Sequence, residues 1–150
     1  MSARVWPANA EEIETVSALI AAFRDWWGYD RPSDDTIREG VERVMADGSG
    51  EYLLAGEDGV CQLRYRWSVW TGADDCWLED LYVRDSARGK GVGRALVGAA
   101  VERARSRGCR RIELDVNEQN EAALALYLGE GFTLEPKPPG RTLFVSRRLG

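Results

Sequence analysis

The sequence predicts a mixed α/β fold in which a central sheet carries helices on its faces. Two observations predict it. Strand-like and helix-like apolar patterns follow one another in the order β α α β β β α β α β β, with no repeat or low-complexity tract between them. The chain has 150 residues, of which 44% are hydrophobic, and this is enough apolar material for the core of a single domain over residues 1–150.

The first half of the chain predicts a short strand, two helices and a hairpin. Pro7 ends the first strand, and apolar residues at helical spacing mark both helices. A glycine-containing segment at 47–50 ends the second helix, and Glu57-Asp58-Gly59 forms the hairpin turn. The predicted elements are a strand at 4–6, helices at 10–27 and 32–46, and strands at 51–55 and 60–69.

The second half of the chain predicts strands that alternate with helices. Gly108 ends the longer helix, and the Asn117 side chain can cap the helix that follows. The predicted elements are a polar loop at 71–75, strands at 77–83 and 111–116, helices at 91–107 and 117–129, and final strands at 132–134 and 143–147 around a loop at 136–140.

Histidine is absent from the chain, which excludes every mechanism that needs an imidazole. Histidine-dependent triads, a histidine-bound zinc and a histidine general base are therefore ruled out, and we expect no metal site. Proton transfer must use a carboxylate, a tyrosine, a cysteine or water.

The cysteines, the hydropathy and the N-terminus predict a cytoplasmic protein. Cys61, Cys76 and Cys109 are odd in number and widely spaced, which is typical of reduced, buried thiols. No segment approaches the ~20 apolar residues of a membrane span, and the N-terminus lacks a signal-peptide pattern. We expect no membrane association. The sequence does not decide the oligomeric state, and a homodimer is left open.

Charge is distributed unevenly along this acidic chain. The formal net charge is 20 − 25 = −5, whereas residues 84–111 carry nine basic and two acidic side chains and sum to +7. All other residues therefore sum to −12. The overall acidity argues against nucleic-acid binding. The basic block indicates either one anionic ligand at one place or a solvated helix face.

A glycine-rich turn lies in that block. The strand Leu-Glu-Asp-Leu-Tyr-Val at 78–83 leads into Arg88-Gly89-Lys90-Gly91-Val92-Gly93-Arg94, and a helix follows. Free N–H groups at a helix N-terminus, close backbone approach at glycine, and nearby basic side chains all suit a phosphate. The turn fits neither the Walker A pattern nor the dinucleotide-binding pattern of phosphate-binding loops. The pattern that it does show is R-x-x-G-x-G after an extended strand.

A second motif lies on the next predicted helix. Asn120 and Tyr127 are seven residues apart and so share one helix face. With Ala123 and Gly131-Phe132 they complete the pattern N-x-x-A-x-x-x-Y-x-x-x-G-F. Over residues 78–132 the sequence therefore resembles the acyl-CoA-binding core of the GNAT superfamily of N-acetyltransferases. Asp85 and Glu130 depart from the residues common in that family, outside the phosphate turn.

The resemblance implies a GNAT-like fold with a mixed, mostly antiparallel central sheet, and transfer of an acetyl group from acetyl-CoA to an amine in a ternary complex. The family splays the strand at 77–83 from the strand at 111–116, and the thioester lies in that gap. Asn120 is expected to contact the cofactor arm, and Tyr127 to act as general acid to the leaving thiolate. The cofactor-binding residues that the resemblance implies are Leu81, Tyr82, Val83, Arg88, Gly89, Lys90, Gly91, Val92, Gly93, Arg94, Asn120 and Tyr127.

The acceptor amine needs a proton acceptor, since lysine-like amines have a pKa near ~10.4 and are mostly charged at neutral pH. In family members with this Leu-Glu-Asp sequence the Glu is the proposed base, which implies Glu79 here, directly or through water, with Asp80 as second choice. Side chains alternate along a strand, so only one of the two faces the cleft unless a bulge intervenes.

The acceptor is expected to be a cationic small-molecule or peptide amine. Aspartates and aromatic residues fall in segments that usually frame the family's acceptor site, and both suit a cation, although the aromatic residues fit core packing equally well. Trp26, Trp27, Tyr29 and Glu79 are the expected substrate-binding residues. A non-catalytic acyl-CoA sensor and a nucleotide-binding regulatory domain remain as alternatives. The aspartates in these segments are Asp25, Asp30, Asp34, Asp35, Asp74 and Asp75, and the aromatic residues are Trp26, Trp27, Tyr29, Trp67 and Trp70.

Overall fold

The computed structural model describes residues 3–134, 140 and 143–150, and within these residues a five-stranded sheet lies between two layers of helices. The strands are β1 (Trp6–Pro7), β2 (Gly50–Ala55), β3 (Gly59–Ser68), β4 (Ala73–Val83) and β5 (Arg111–Glu113). The helices are α1 (Ile13–Trp26), α2 (Asp34–Ala46), α3 (Val92–Ser106) and α4 (Glu121–Gly129), with single helical turns at Ala10–Glu12 and Asp85–Ala87.

The strand order in the sheet is β1-β2-β3-β4-β5, and every neighbouring pair is antiparallel except β4 and β5, which are parallel. The predicted mixed, mostly antiparallel α/β fold is confirmed.

Each face of the sheet is covered by its own apolar core. On one face, Leu63 and Leu78 pack with the α3 residue Leu96 and the α4 residue Tyr127. On the other face, the residues that pack between the sheet and the helices α1 and α2 include Val16, Leu19, Val41, Leu54 and Tyr82. The two faces therefore present different helices to any site at the sheet, α3 and α4 on one side and α1 and α2 on the other.

The predicted polar loop at 71–75 is wrong in its second half, because β4 already begins at Ala73. Asp75 is only 4% exposed, and its carboxylate accepts a hydrogen bond from Arg111 Nε over 3.1 Å. A charged residue of this kind looks like a loop residue in the sequence, whereas its ion pair with the neighbouring strand allows it to be buried in the sheet.

The fourth helix begins later than predicted. Asn120, and not Asn117, is the cap of α4, since its Oδ1 accepts from the backbone N–H of Ala123 over 3.3 Å. The Asn117 side chain accepts from Gln119 N over 2.8 Å and forms a turn before the helix. The strand predicted at 111–116 likewise ends at Glu113.

The final strands predicted at 132–134 and 143–147 are wrong, because those residues are not in strands. A strand needs a partner and a buried face, whereas Leu134 is 65% exposed and Phe144 is 86% exposed. Of the loop predicted at 136–140, residues 136–139 lie outside the described residues. In the described part of the chain, no helix is both long enough and apolar enough to span a membrane.

Replacing Ser33 by Ala is expected to lower the free energy of unfolding by about 1 kcal/mol. Ser33 is the N-cap of α2, and its Oγ accepts from the backbone N–H of Thr36 over 3.2 Å. Urea unfolding followed by circular dichroism measures the change. Ser106, an exposed residue at the end of α3, gives the matched control; S106A should stay within about 0.5 kcal/mol of the parent. Equal stability of S33A and S106A would contradict the capping role.

Candidate functional site

The strands β4 and β5 separate and leave a cleft near one edge of the five-stranded sheet. They pair at only three positions, Asp75 with Arg111, Cys76 with Ile112 and Trp77 with Glu113. Strand β4 then continues to Val83, and among the described residues no strand pairs with it on this side. A cleft of about 640 Å³ fills the gap, lined on one wall by residues 78–83 and on the other by residues 115–117.

A bulge in β4 lets both acidic residues of this strand line the cleft. Gln62 of β3 pairs with Asp80 and Leu63 pairs with Leu78, so Glu79 has no partner in the ladder. A bulge of this kind interrupts the alternation of side chains. Leu78 accordingly packs in the core under α3, whereas Tyr82 packs in the core under α1 and α2. The sequence had left the orientation of Glu79 and Asp80 open, and both line the cleft.

The glycine turn leads directly into α3 at one end of the cleft. Gly89 and Gly91 have φ angles of +74° and +83°, a conformation that is unfavourable for other residues. Gly91 is the N-cap of α3, and its carbonyl accepts the first helical hydrogen bond, from Ala95 N over 3.0 Å. The N–H groups at 92–94 therefore lack a partner within the helix. Together with the helix dipole, these groups form a site that suits an anion.

Gly93 serves packing rather than backbone conformation. A Cβ atom at this position would lie 3.2 Å from Leu126 Cδ2, so glycine allows α4 to approach the start of α3 closely. This contact places α4, with Asn120 and Tyr127, beside the turn. Both of these residues line the cleft.

Arg88 and Arg94 line the cleft beside the turn, whereas the exposed Lys90 does not. Arg88 Nε donates to the carbonyl of Val83 over 3.0 Å, and its guanidinium lies 5.3 Å from the centre of the Trp26 ring. Arg94 pairs with Glu130 at 2.7 Å. The arginines are thus held at the edge of the cleft by β4, α1 and the end of α4.

Three other arginines of the basic block have structural partners away from the cleft. Arg103 makes a two-bond ion pair with Glu51 of β2, at 2.8 Å and 2.7 Å. Arg107 stacks on the Tyr65 ring at 3.8 Å, and Arg111 pairs with Asp75. The +7 block is therefore divided between an anion site at the start of α3 and ion pairs that tie α3 and β5 to the sheet.

Asp80 has the electrostatic environment of a proton acceptor. Burial, the charge of Glu79 and, less strongly, the charge of Asp115 raise its pKa, Arg64 lowers it, and the net result is a pKa of about 6. In the amide orientation that satisfies both neighbours, Gln62 Nε2 donates to Asp80 Oδ2 over 3.1 Å and Gln62 Oε1 accepts from Arg64 Nε over 3.2 Å. A carboxylate with this pKa changes its charge just below neutral pH.

Tyr127 presents a protonated hydroxyl to the cleft. The residue is 7% exposed, and its ring packs edge to face on Phe132 at 5.8 Å. Burial, together with nearby acidic groups, raises the pKa of the phenol well above its usual range. Within the described residues, the hydroxyl takes part in none of the side-chain hydrogen bonds, so it is free to bond to a ligand in the cleft.

The aromatic residues divide into two sets. Phe23, Trp26 and Trp27 line the cleft, and Phe23 stacks on Tyr82 at 5.2 Å. Tyr29 stacks on Trp27 at 6.4 Å but does not line the cleft itself. The prediction that Trp67 and Trp70 join this wall is wrong. They lie at the β3–β4 turn, 67% and 92% exposed, and are not part of the lining.

None of the six aspartates expected at the acceptor site lines the cleft. Two of them, Asp25 and Asp34, pair with Arg24, and Asp75 pairs with Arg111. The acids that do line it are Glu79, Asp80 and Asp115. The prediction missed Asp115, which lies just after the end of β5 and lines the cleft together with Val116.

Known proteins resemble this chain in sequence and in fold. A family model described as "Acetyltransferase (GNAT) family" matches residues 14–132. Thialysine N-epsilon-acetyltransferase of Sus scrofa is 30% identical over 126 residues, which cover 73% of each chain. Aminoglycoside N(6')-acetyltransferase type 1 of Klebsiella aerogenes is 43% identical over 103 residues, 65% of this chain and 68% of that one. The solved structure of ribosomal-protein-alanine N-acetyltransferase from Brucella melitensis biovar Abortus 2308 has the same fold, with a TM-score of 0.75 at 20% identity over 96% of this chain and 99% of that one.

Proposed function

The chain belongs to the acetyltransferase (GNAT) family and is an acyltransferase, and we propose that it moves an acetyl group from acetyl-CoA to a cationic primary amine by direct attack in a ternary complex. One observation carries the proposal. The anion-binding turn, the unpaired edge of β4, a carboxylate of raised pKa and a buried tyrosine hydroxyl all meet in the same cleft. We also propose a cytoplasmic location, because Cys61, Cys76 and Cys109 are free thiols, as is usual in a reducing compartment.

The residues present fit acetyl-CoA. A Cβ atom added at Gly89 or Gly91 would meet nothing within 4 Å, so the space over the turn is open to a pyrophosphate. The backbone N–H groups at 89–93 would bind it, with the side chains of Arg88 and Arg94 beside them. Residues Leu81 to Val83 would bind the extended pantetheine arm through the unpaired strand edge, and Asn120 lies on the opposite wall. The bound group supplies an acetyl thioester.

The carboxylates of β4 supply the proton acceptor in this proposal. Family resemblance implies Glu79, but the geometry favours Asp80 for the proton itself, because its half-buried carboxylate has a pKa of about 6, near the range in which a general base works best. Glu79 lies exposed beside it and adds the negative charge that raises that pKa and attracts the ammonium form of the acceptor.

Tyr127 supplies the proton donor. Its raised pKa keeps the phenol protonated at neutral pH, and the hydroxyl lines the same cleft as Asp80. A base on β4 and an acid on α4 therefore stand on different walls, as attack and departure of the leaving group require.

The relatives support an amine as acceptor. Their names place the acetyl group on thialysine in one case and on an aminoglycoside in another. In this chain, the three carboxylates and the Trp26–Trp27 wall favour a cationic amine.

Thiol release from acetyl-CoA, measured against polyamines, aminoglycosides, amino acids and peptide N-termini, tests the proposal. Acetyl-CoA binding without thiol release on any acceptor would contradict it.

Replacing Gly91 by Ala is expected to raise the KM for acetyl-CoA about tenfold, because the left-handed backbone at this position strains any residue with a Cβ. Steady-state thiol release at saturating acceptor measures the change. Gly98 is the matched control, since it lies inside α3 with open space around it and no positive φ. G98A should keep the parent KM. A parent-like KM in G91A would mean that the turn does not hold the cofactor.

A further inference from the structure

A buried glutamine lies directly beside the proposed base. Gln62 is 5% exposed, and it pairs with Asp80 across the ladder of β3 and β4 and with Tyr52 across the ladder of β2 and β3. Paired side chains of neighbouring strands lie on the same face, and Tyr52 belongs to the core under α1 and α2. The three residues therefore form one row on that face. Gln62 itself does not line the cleft, so any effect it has on the reaction must pass through a neighbour.

Arg64 fixes the orientation of the Gln62 amide. Gln62 Oε1 accepts from Arg64 Nε over 3.2 Å, and Gln62 Nε2 donates to Asp80 Oδ2 over 3.1 Å. The reverse orientation would place the amide oxygen against a carboxylate oxygen and the amide NH2 against a guanidinium, and neither contact would be a hydrogen bond. The guanidinium therefore ensures that the amide presents a donor to Asp80.

The Gln62 donor occupies one of the two oxygens of the Asp80 carboxylate. Within the described residues, it makes the only hydrogen bond that the Asp80 side chain accepts. A carboxylate that is held at Oδ2 has Oδ1 in a defined direction. A general base needs this arrangement, because proton transfer depends on the position of the accepting atom.

We propose that Gln62 is a positioning residue, which holds Asp80 Oδ2 so that Oδ1 points into the cleft and receives a proton from the acceptor ammonium. This inference rests on the proposed function, with Asp80 as the base, and adds to it a residue outside the cleft. In the step, an N–H bond of the ammonium breaks and an O–H bond forms at Oδ1, which leaves the nitrogen lone pair free to attack the thioester. Arg64 acts one contact further away, by orienting the amide.

The groups around Asp80 predict the direction of the effect. Burial and the charges of Glu79 and Asp115 raise its pKa, and Arg64 lowers it. The part of the cleft lining that α1 contributes is aromatic and holds no titratable group. A hydrogen bond donated to the charged form of an acid favours that form, so loss of the Gln62 donor should raise the pKa of Asp80. The other titratable groups on which the Asp80 charge acts are Tyr52, Cys61 and Tyr127.

The test replaces Gln62 by Met, which has a similar volume but no donor. Thiol release from acetyl-CoA is measured between pH 5 and 8 with the amine that reacts fastest, and the acidic limb is the fall of kcat as Asp80 becomes protonated. We expect Q62M to lower kcat about tenfold and to move the acidic limb up by about one pH unit, with an unchanged KM for acetyl-CoA. Q62E keeps the shape and the bond from Arg64 but cannot donate when ionised, so it should also move the limb up.

Variants of Arg64 test the orienting contact. R64M should lower kcat and move the limb up, whereas R64K keeps the charge and one donor and should stay closer to the parent. In Q62M, the further change R64M should lower kcat little more, because no amide remains to be oriented. Arg66 is the matched control, since it lies two residues along β3 and pairs with Asp75 in the ladder. R66M should keep the parent kcat and the parent limb.

The outcomes separate the levels of the proposal. If Q62M keeps the parent kcat and limb, or loses stability without a shift of the limb, the positioning role is overturned while acetyl transfer with Asp80 as base stands. If D80N keeps the acidic limb, Asp80 is not the base, and this inference falls while acetyl transfer stands. If acetyl-CoA binds and no amine releases thiol, the proposed function fails and this inference fails with it.

Discussion

Replacing Tyr127 by Phe is expected to lower kcat by about 100-fold, because the variant removes the only atom that the proposal assigns to proton donation. The ring itself should stay in place. It is 7% exposed and packs on Phe132, and Phe preserves that contact. Since the hydroxyl takes part in none of the side-chain hydrogen bonds of the described residues, its removal leaves no partner unsatisfied. The Kd for acetyl-CoA and the unfolding midpoint should therefore stay close to the parent values.

Thiol release at saturating substrates and calorimetric titration of acetyl-CoA measure the two parts of this prediction. Tyr65 is the matched control. It is 4% exposed, lies outside the cleft, and its hydroxyl donates to Glu51 over 3.0 Å. Y65F should cost about 1 kcal/mol of stability and leave kcat unchanged. A parent-like kcat in Y127F would assign the proton to water and remove Tyr127 from the mechanism.

Local signals in the sequence were enough to predict the parts of the site that local structure builds. The turn at 88–93 depends on glycines that adopt positive φ angles and on a helix start, both of which are encoded within a few residues. Asn120 and Tyr127 share a face because helix geometry fixes their spacing. The fold class followed from the same kind of periodicity, and the corrections at 71–75 and 117–120 are shifts of element ends.

The remaining features depend on partners that are distant in the sequence. The bulge at Glu79 exists only in the register of β4 against Gln62 and Leu63 of β3, so alternation along β4 alone could not say which acid faces the cleft. Whether residues 143–147 form a strand also depends on a partner that the segment itself does not reveal. Phe144 and its neighbours have strand-like composition and yet lie exposed.

Charge was the least informative feature for locating the site, because the sequence shows how many charged residues there are but not which of them form ion pairs. Arg103 of α3 and Arg111 of β5 were part of a basic block that indicated an anion, and each has a carboxylate partner on a neighbouring strand. The missing histidine restricts the choice of base. With no imidazole in the chain, proton transfer must use a carboxylate, a tyrosine, a cysteine or water, and burial beside Glu79 raises the pKa of Asp80 to about 6, close to the ordinary range of histidine.

Replacing Asp80 by Asn is therefore expected to lower kcat by about 100-fold and to abolish the acidic limb of its pH profile. In the parent enzyme, Asp80 accepts a proton only when ionised, so kcat at saturating acceptor should fall as the pH drops through about 6. The amide cannot ionise, so the residual rate of D80N should lack this fall. Thiol release between pH 5 and 8 in constant ionic strength measures both effects.

Glu79 provides the comparison that identifies the base. Its charge raises the pKa of Asp80, as the charge of Asp115 also does, while Arg64 opposes both. Removing the Glu79 charge should lower that pKa, so the acidic limb of E79Q should move to lower pH while most of kcat is kept. The reverse result, with the limb abolished in E79Q and preserved in D80N, would make Glu79 the base and leave Asp80 a residue that orients it. Both carboxylates line the cleft, so their location does not identify the base. The variant that loses the acidic limb of the pH profile identifies it, because the base is the group whose ionisation produces that limb.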